Sequence, residues 1–452
     1  MTVEGVVQAA GLDRPGAITA KRRRAMLIIS LGELLDGYLI VITAGALILI
    51  KPQFNLPASL TGLLGASVFI GAALGMIVLG DVSDRIGRRR IFVVNLLAFV
   101  GLSIVSAFVQ NVPELMAVRF LLGIAIGADV PTSMAFLNEL APKKSRGAWG
   151  GALPNIMWGI GAAGAAFIWL PLLGTGPNAW RWAFGLAAAP ALLIWVGRQT
   201  LPESPRWLIA QGRTEDAERV LAEFGVERSI SGQAPTASSP AEARPRRDYR
   251  ELFSRGYGPR LGAVCGLVIL NGLSGPVTTV ATPYILRYVG LLSVRDSLLF
   301  SGLVWLANLA GSSSCWFLLD RLPRRKLVVW TQATNGVLVV AMALFGRGHP
   351  YVLVPLFFVF GYLQWAAAIP AIWLWGTELF PTRVRAAGQG ITNGVNRLAV
   401  AASIFLVPVA LGAAGFPALM IGFAVLTFLF AITVASIRFF ATNDVALETL
   451  SP

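Results

Sequence analysis

Twelve apolar runs, each long enough to cross a bilayer as a helix, dominate this sequence. A spanning helix needs about 20 mostly apolar residues. Measured against that length, the chain divides six and six around one long polar segment. The predicted spans cover residues 26–50, 60–80, 90–110, 113–137, 147–171, 180–200, 259–285, 297–319, 326–346, 350–376, 386–411 and 415–440. The pattern predicts an all-α membrane protein with twelve transmembrane helices.

Composition favours a bilayer environment over a soluble one. Hydrophobic residues make up 56% of the chain and charged residues 13%, whereas soluble domains are roughly a quarter charged. The apolar run after residues 21–24 is too long for the hydrophobic part of a cleaved signal peptide. We therefore predict a multi-pass protein surrounded by lipid, with its first span retained.

The distribution of basic residues predicts the orientation. The chain carries 37 Lys and Arg residues and a net charge of +14. If residues 21–24 are cytoplasmic, most of these basic residues fall on the cytoplasmic side, as membrane proteins prefer. This asymmetry argues against nucleic acid as the partner and predicts an inner (plasma) membrane protein with both termini in the cytoplasm.

The same spans predict the domain organisation. We expect a cytoplasmic N-terminus over residues 1–25, a six-helix bundle over 26–200 and a cytoplasmic linker over 201–258. A second six-helix bundle over 259–440 and a cytoplasmic tail over 441–452 complete the chain.

Two motifs recur in the two halves. The string GDVSDRIGRRR at 80–90 follows span two, and LDRLPRRK at 319–326 follows span eight. A Glu with an Arg seven residues later follows span four and again span ten. Asp84 and Glu139 are 55 residues apart, while Asp320 and Glu378 are 58 apart. Matched motifs at matched spacing predict an internal repeat of six spans, an architecture found in transporters.

These motifs resemble those of the major facilitator superfamily, and most of all its sugar-porter and metabolite–proton symporter branches. The string at 80–90 is similar to the superfamily's loop signature, while PESPRWL at 202–208 and the Glu-to-Arg pattern at 378–385 resemble sugar-porter signatures. The resemblance covers essentially the whole chain. It implies two six-helix pseudo-repeats, a substrate site between them and transport by alternating access.

Carboxylates and arginines in these motifs lie where spans end, which predicts a cytoplasmic gate. Ion pairs there can form in one state and break in another. The alternative is that the clusters only set topology, although topology requires only Lys and Arg. The predicted gate residues are Asp84, Arg85, Arg88, Glu139, Arg146, Glu203, Arg206, Asp320, Arg324, Glu378 and Arg385.

Charged residues inside the spans are costly and are functional candidates by default. Span one carries Glu33 and Asp36 on one helix face, and span four carries Arg119 and Asp129. We predict that these four residues couple transport to protons, with Asp36 loading a proton beside Arg119. A permanent structural pair is the alternative.

Arg397 in span eleven predicts an anionic or zwitterionic substrate, because a guanidinium binds carboxylates with two hydrogen bonds. Superfamily members that carry organic acids also place an Arg here, and the order Asp-Gly-Tyr at 36–38 resembles them more than sugar porters. The alternative is a structural role, either a bond from Arg397 to backbone carbonyls of a neighbouring helix or a fixed internal pair. Either reading places this side chain between helices.

Other polar and aromatic midspan residues are candidates for the cavity wall, although each can equally pack a helix interface. Asn308 and Trp373 match sugar-porter positions, whereas Pro154 and residues 271–272 depart from the glutamines found there. The predicted substrate-binding residues, with Arg397, are Asn396, Asn393, Asn271, Ser274, Asn308, Trp373, Gln364, Trp365, Asn155, Trp158 and Tyr38.

The leading functional prediction is a proton symporter for a small polar metabolite, with organic acids ahead of sugars and polyols. A proton-driven exporter of drugs or metabolites and a non-transporting membrane sensor are the alternatives. The single histidine, two separated cysteines and absence of a P-loop motif argue against an enzyme, a metal site and a cofactor. We expect the protein to be a monomer.

Overall fold

The computed structural model describes residues 18–141, 147–224, 252–254, 256–275, 281–380 and 382–437, and this part of the chain is almost entirely helical. Ten of the described helices are long and apolar enough to cross a membrane. One of them, Trp149–Gln199, has 51 residues and contains both the fifth and the sixth predicted spans, while the seventh begins with the shorter apolar helix Gly258–Ser274. All twelve predicted spans therefore correspond to helical segments.

The described residues of the first half form eight α-helices, which make up six spans. They are α1 (Ala20–Gln53), α2 (Ala58–Ile86), α3 (Arg88–Phe108), α4 (Val112–Leu140), α5 (Leu153–Phe167), α6 (Trp169–Leu172), α7 (Ala179–Leu186) and α8 (Ala188–Gln199). A π-helical turn, Gly147–Ala152, precedes α5. Helices satisfy every interior backbone group within the segment, which the lipid interior requires. Polar side chains cap the ends, as Thr19 and Asn111 do for α1 and α4.

The turn between spans five and six depends on one glycine. Gly176 lies in the 3₁₀ segment Leu173–Asn178 with φ +82° and ψ −156°. An L-residue with a side chain rarely adopts that conformation, so glycine is the natural residue for this reversal. The chain can therefore fold one long apolar stretch into two antiparallel spans.

The beginning of the linker folds onto one end of the first half. Helices α9 (Pro205–Ala210) and α10 (Thr214–Glu223) share an apolar cluster with residues at the start of α1 and α3 and the end of α4. The hydroxyl of Thr19 donates a hydrogen bond of 3.1 Å to the carbonyl of Phe224. We call this end of the bundle the basic face and the other end the opposite face. Residues 1–17, 225–251 and 438–452, which hold most of the predicted N-terminus, about half of the linker and the whole tail, lie outside the described residues.

Eight α-helices also lie in the part of the second half that the structure describes. They are α11 (Gly258–Ser274), α12 (Thr282–Tyr288), α13 (Val294–Arg321), α14 (Arg324–Phe345), α15 (Pro350–Leu363), α16 (Ile369–Glu378), α17 (Thr382–Ala413) and α18 (Gly415–Ser436). A π-helical turn, Gln364–Ala368, joins α15 to α16. Such turns insert one extra residue and occur often at functional sites.

Glycines allow the closest helix contacts in the first half. Gly71 and Gly75 of α2 face backbone carbonyls of α4, while Gly123 and Gly127 of α4 face backbone carbonyls of α2. A Cβ atom at any of the four positions would collide with the facing backbone. This is the small-residue packing through which membrane helices approach each other.

The two halves meet along two helix pairs, α2 with α17 and α5 with α13. Gly62 of α2 lies directly against the backbone of Phe405, and Gly159 of α5 lies against Leu309. These contacts leave a cavity between the halves, lined from both sides.

Candidate functional site

The cavity between the halves has a polar and aromatic wall. Seven polar side chains line it, together with Trp158, Trp365 and Trp373. The polar lining residues are Glu33, Asn155, Asn271, Gln364, Asn393, Asn396 and Arg397. A mostly apolar cavity with a few convergent polar groups is typical of small-molecule sites. It contains nine of the twelve predicted substrate-binding residues, whose role in binding stays a prediction.

The cavity lies closer to the basic face than to the opposite face. With a rise of 1.5 Å per residue, its lining residues Met134 and Trp373 lie within about 10 Å of the basic-face ends of α4 and α16. Ile40 and Val400 lie about 20 Å from the opposite-face ends of α1 and α17. The wall between the cavity and the opposite face is therefore the thicker one.

Contacts between the halves close the opposite face. The Nζ of Lys51, near the end of α1, donates a hydrogen bond of 2.8 Å to the hydroxyl of Tyr284 in α12. The same ammonium lies 4.4 Å from the centre of the Tyr288 ring. Gly62 packs on Phe405 at the same end of the bundle.

Three tryptophans from both halves form a cluster at the cavity. The ring of Trp158 in α5 lies 5.3 Å from each of the rings of Trp305 and Trp365, and it stacks on Trp365 with an interplanar angle of 24°. Trp305 and Trp365 are 6.0 Å apart. Trp305 was not among the sequence candidates, because a tryptophan in an apolar span carries no signal of the partner it will meet. The cluster joins the halves through aromatic contact.

Two charged residues of the cavity wall, Glu33 and Arg397, and the buried Asp36 behind it interact without forming an ion pair. Arg397 of α17 interacts electrostatically with Glu33 and Asp36 of α1, yet among the described residues it has no ion pair or hydrogen bond. Asp36 is fully buried, and neither of its carboxylate oxygens has a described hydrogen-bond partner; Oε1 of Glu33 also has none. One basic and two acidic groups from opposite halves thus share a space in which each lacks direct compensation.

Arg119 and Asp36 do not form the pair expected from the sequence. The guanidinium of Arg119 donates to the carbonyl of Leu39 and the hydroxyl of Thr43, both on α1. Its carbon also lies 4.7 Å from the centre of the Phe184 ring. Thr43 is about 10 Å further along α1 than Asp36. Arg119 is therefore held by the backbone and hydroxyl of α1, away from the carboxylates.

Asp129 has a different partner, which sequence reasoning missed. Arg198, at the end of α8, donates to both carboxylate oxygens of Asp129 and to the carbonyl of Ile29. Gly32 provides the room, because a Cβ atom there would collide with both side chains of the pair. A carboxylate buried in span four indicates that a basic residue must pair with it. The distance along the sequence between Asp129 and the basic residues does not identify Arg198 as that partner.

The remaining candidates pack the protein rather than line the cavity. The hydroxyl of Ser274 donates to the carbonyl of Leu270, and that of Tyr38 donates to the carbonyl of Ala183. Asn308 is 1% exposed, and its amide atoms have no described hydrogen-bond partner. Asn396 lines the cavity and also bonds the carbonyl of Val268.

The described gate residues form a network within the first half. Arg88 pairs with Glu139, whose other carboxylate oxygen accepts a hydrogen bond from the hydroxyl of Ser204. Glu203 accepts hydrogen bonds from the backbone N–H groups of Arg88 (3.0 Å) and Arg89 (3.3 Å). A carboxylate at that position is also stabilised by the positive N-terminal end of the α3 helix dipole. These contacts tie α3, α4 and the linker together rather than joining the two halves.

The rest of the predicted gate is only partly visible. Arg324 begins α14. Arg146 and the side chains of the other members lie outside the described residues; these are Asp84, Arg85, Arg206, Asp320, Glu378 and Arg385.

Comparison with known proteins identifies the family. Residues 25–451 match the family described as sugar (and other) transporter. The metabolite transport protein YaaU of Escherichia coli is 30% identical over 391 residues, which are 86% of this chain and 85% of that protein. The major myo-inositol transporter IolT of Bacillus subtilis is 29% identical over 427 residues, 89% of this chain and 88% of that protein.

A solved structure has the same fold. The proton:xylose symporter XylE, described as a major facilitator superfamily protein, superposes with a TM-score of 0.79 at 21% identity, covering 96% of this chain and 99% of that one. The twelve-span fold and the family resemblance predicted from the sequence are thereby confirmed. The chain belongs to the sugar (and other) transporter family and is a multi-pass membrane transporter with the major facilitator fold.

Proposed function

We propose that this transporter is a proton symporter that imports a small hydroxylated metabolite carrying a carboxylate. The observation that carries the proposal is Arg397, which lines the cavity opposite Glu33 and has no described ion-pair partner. Arg119 and Arg198, which are each 1% exposed, are by contrast both held by protein oxygens. An unpaired guanidinium in a cavity is suited to an anion that arrives from outside.

The facing carboxyl groups supply a means of coupling. An ionised carboxylate without a partner is costly in a low-dielectric interior, and Glu33 and Asp36 lie in such surroundings beside Arg397. A proton on Asp36 removes one of the two negative charges that compete for Arg397. Substrate carboxylate and proton would then enter the cavity together, and the downhill movement of the proton would drive import.

The transport cycle follows from the placement of the cavity. The contacts of Lys51 and Gly62 close the opposite face, which we assign to the outside, and the basic face is assigned to the cytoplasm, where both termini would lie. Further ion pairs, between predicted gate residues of the two halves, would form when the cavity opens outward. We propose that the protein works in the plasma membrane as a monomer, because each chain holds a complete cavity.

A neutral sugar or polyol is the second candidate substrate class. The amides of Asn155, Asn271 and Asn393 and the indole of Trp373 line the same cavity, and such groups suit hydroxyls. The relatives named above include a myo-inositol transporter and a xylose symporter. Arg397 distinguishes the two classes, since a neutral sugar gives it no counter-charge.

Uptake into proteoliposomes tests the proposal. The panel contains D-gluconate, D-galacturonate and L-lactate against D-xylose, D-glucose and myo-inositol, with and without an inward proton gradient. We expect accumulation of a carboxylate that requires the gradient and is lost in Arg397→Ala. The control Arg219→Ala changes an arginine on the exposed face of α10 and should leave uptake intact.

Other outcomes would overturn parts of the proposal. Uptake restricted to the neutral compounds would refute the carboxylate assignment, and equal accumulation without a proton gradient would refute coupling. Flux only outward would indicate an exporter, and binding without flux a sensor.

A further inference from the structure

A chain of four side-chain amides runs from the cavity wall into the interior of the second half. Gln364, in the π-helical turn, donates from Nε2 to Oδ1 of Asn271 at 2.7 Å. Its Oε1 accepts from Nε2 of Gln332 at 3.0 Å and from Nδ2 of Asn335 at 3.2 Å. The four residues come from α11, the turn and α14, and we call them the amide relay.

The members of the relay have different positions relative to the cavity. Asn271 and Gln364 line it, whereas Gln332 and Asn335 do not. Gln332, Asn335 and Gln364 are each no more than 2% exposed. The inner pair can therefore influence a substrate only through Gln364 and Asn271.

The hydrogen bonds fix the direction of each amide relative to the others. If Gln364 alone turned over, its NH₂ group would face the NH₂ groups of Gln332 and Asn335, and its oxygen would face the oxygen of Asn271. All three hydrogen bonds would be lost at once, and buried polar groups left without partners are costly. Gln364 is thus locked by the two donors behind it.

The direction of the relay decides what Asn271 offers to the cavity. Gln364 takes one of the two acceptor positions of its Oδ1, whereas its NH₂ group has no hydrogen-bond partner among the described residues and keeps both N–H donors for a ligand. An amide can present either a donor or an acceptor, but here the relay leaves the donor. Together with Arg397, which has donors only, this part of the wall favours oxygen atoms that carry no hydrogen.

We propose that Gln332 and Asn335 are positioning residues that set substrate specificity from outside the cavity. They hold Gln364 so that the NH₂ group of Asn271 faces the substrate, and they thereby select a carboxylate or carbonyl oxygen over a donor group. The inference rests on the proposed function in one respect, namely that the substrate is bound in this cavity.

The first experiment tests the direction of the relay without any ligand. In Asn271→Asp, one carboxylate oxygen can still accept from Gln364, so we expect the purified protein to melt at or above the temperature of Asn271→Leu. If the relay ran in the opposite direction, the aspartate would face the oxygen of Gln364. Asn271→Asp would then melt clearly below Asn271→Leu, and the proposal would be overturned.

The second experiment measures binding of three probes that share one carbon skeleton. D-gluconate carries an acceptor-only carboxylate at C1, D-glucitol a hydroxyl and D-glucamine a donor-only ammonium. The wild type should prefer them in that order. Removing the donor with Asn271→Leu should reduce the preference for gluconate over glucamine about tenfold, the scale of one hydrogen bond to a charged group.

The inner pair is tested in the same assay through a double-mutant cycle. Gln332→Met with Asn335→Leu should reduce the preference by a similar factor, and combining these changes with Asn271→Leu should produce no further reduction, since all act through one amide. A purely structural role would weaken all three probes equally or add to the Asn271→Leu effect, and either result would overturn the inference.

The two proposals fail separately. A gluconate preference that survives Arg397→Ala contradicts the proposed function. The double-mutant cycle then still tests the role of the amide relay. A wild type that binds none of the probes also contradicts the proposed carboxylate specificity, and the melting comparison of the Asn271 variants then decides the relay alone.

Discussion

The guanidinium of Arg198 holds the carboxylate of Asp129 through two hydrogen bonds of 2.6 and 3.1 Å, and both side chains are fully buried. The pair links α4 to the end of α8, and Nη2 of Arg198 also reaches the carbonyl of Ile29 in α1. Three helices of the first half thus meet at one ion pair. Such a pair stabilises little compared with apolar packing, but removing one partner leaves a buried charge.

Breaking this pair should destabilise the protein more than removing it altogether. We expect Asp129→Leu to cost about 3–5 kcal/mol, because the guanidinium of Arg198 is left buried without its counter-charge. The double variant Asp129→Leu with Arg198→Met should recover most of that loss. Thermal unfolding of the purified proteins measures it, and equal destabilisation by the single and double variants would contradict the expectation.

The glycine contact between α2 and α4 gives a second stability prediction. A methyl group at Gly75 would meet the carbonyl of Ile124, so Gly75→Ala should force the helices apart and cost about 1–3 kcal/mol. A Cβ atom at Gly101 in α3 would have no other atom within 4 Å, which makes Gly101→Ala a matched control. An unfolding temperature that falls equally in both variants would show that the contact is not the cause.

Sequence reasoning was most successful where physics acts locally. A run of apolar residues must become a helix in lipid whatever its neighbours are, so the spans could be predicted. Matched motifs at the span ends revealed the repeat, and polar or aromatic side chains within the spans revealed nine of the cavity residues. Pairing was harder, because it depends on how helices rotate and which side chains reach across. Arg119 was assigned to Asp36 and instead bonds Leu39 and Thr43, since a long guanidinium can choose among several oxygens.

The amide relay illustrates the same limit. Gln332 and Asn335 stand three residues apart in an otherwise apolar span, which places them on one helix face. That spacing lets both side chains reach one polar partner, although neither residue was predicted from the sequence to contribute to a site. Their partner is Gln364, whose position depends on a π-helical turn. The hydrophobic periodicity of the sequence does not reveal the extra residue in that turn.

The two acidic residues of α1 should contribute differently to transport. Glu33 lines the cavity and Asp36 does not. Asp36→Asn should abolish accumulation driven by a proton gradient while substrate exchange continues, because only the proton carrier is lost. Glu33→Gln should in addition change the KM of exchange, because that side chain shares the cavity with the substrate.

Proteoliposome assays of gradient-driven uptake and of exchange separate these effects. Glu114→Gln is the matched control, since this exposed acid in the first turn of α4 bonds only Gln110 and Asn111 among the described residues. Full concentrative uptake by Asp36→Asn would rule out its role as the proton carrier.

The hydrogen bond from Lys51 to Tyr284 joins the halves at the opposite face, and its removal should favour the state open there. Tyr284→Phe keeps the ring beside the Lys51 ammonium but removes the oxygen that accepts the hydrogen bond. Loss of one such bond is worth about 1 kcal/mol, so the equilibrium between the two open states should shift about fivefold. The direction is set because the bond spans the halves only when that face is closed.

Cysteine labelling can measure this shift. Ser301 is buried at a small void between α1 and α13. The variant Ser301→Cys is made in a protein whose two native cysteines, Cys265 and Cys315, are changed to alanine. A membrane-impermeant maleimide added from the opposite face should label this cysteine about fivefold faster when Tyr284→Phe is present, which is the shift expected from one lost hydrogen bond. Tyr351→Phe, at an exposed position on the same face, serves as the control. If the labelling rates of the two phenylalanine variants are equal, the hydrogen bond does not hold that face closed.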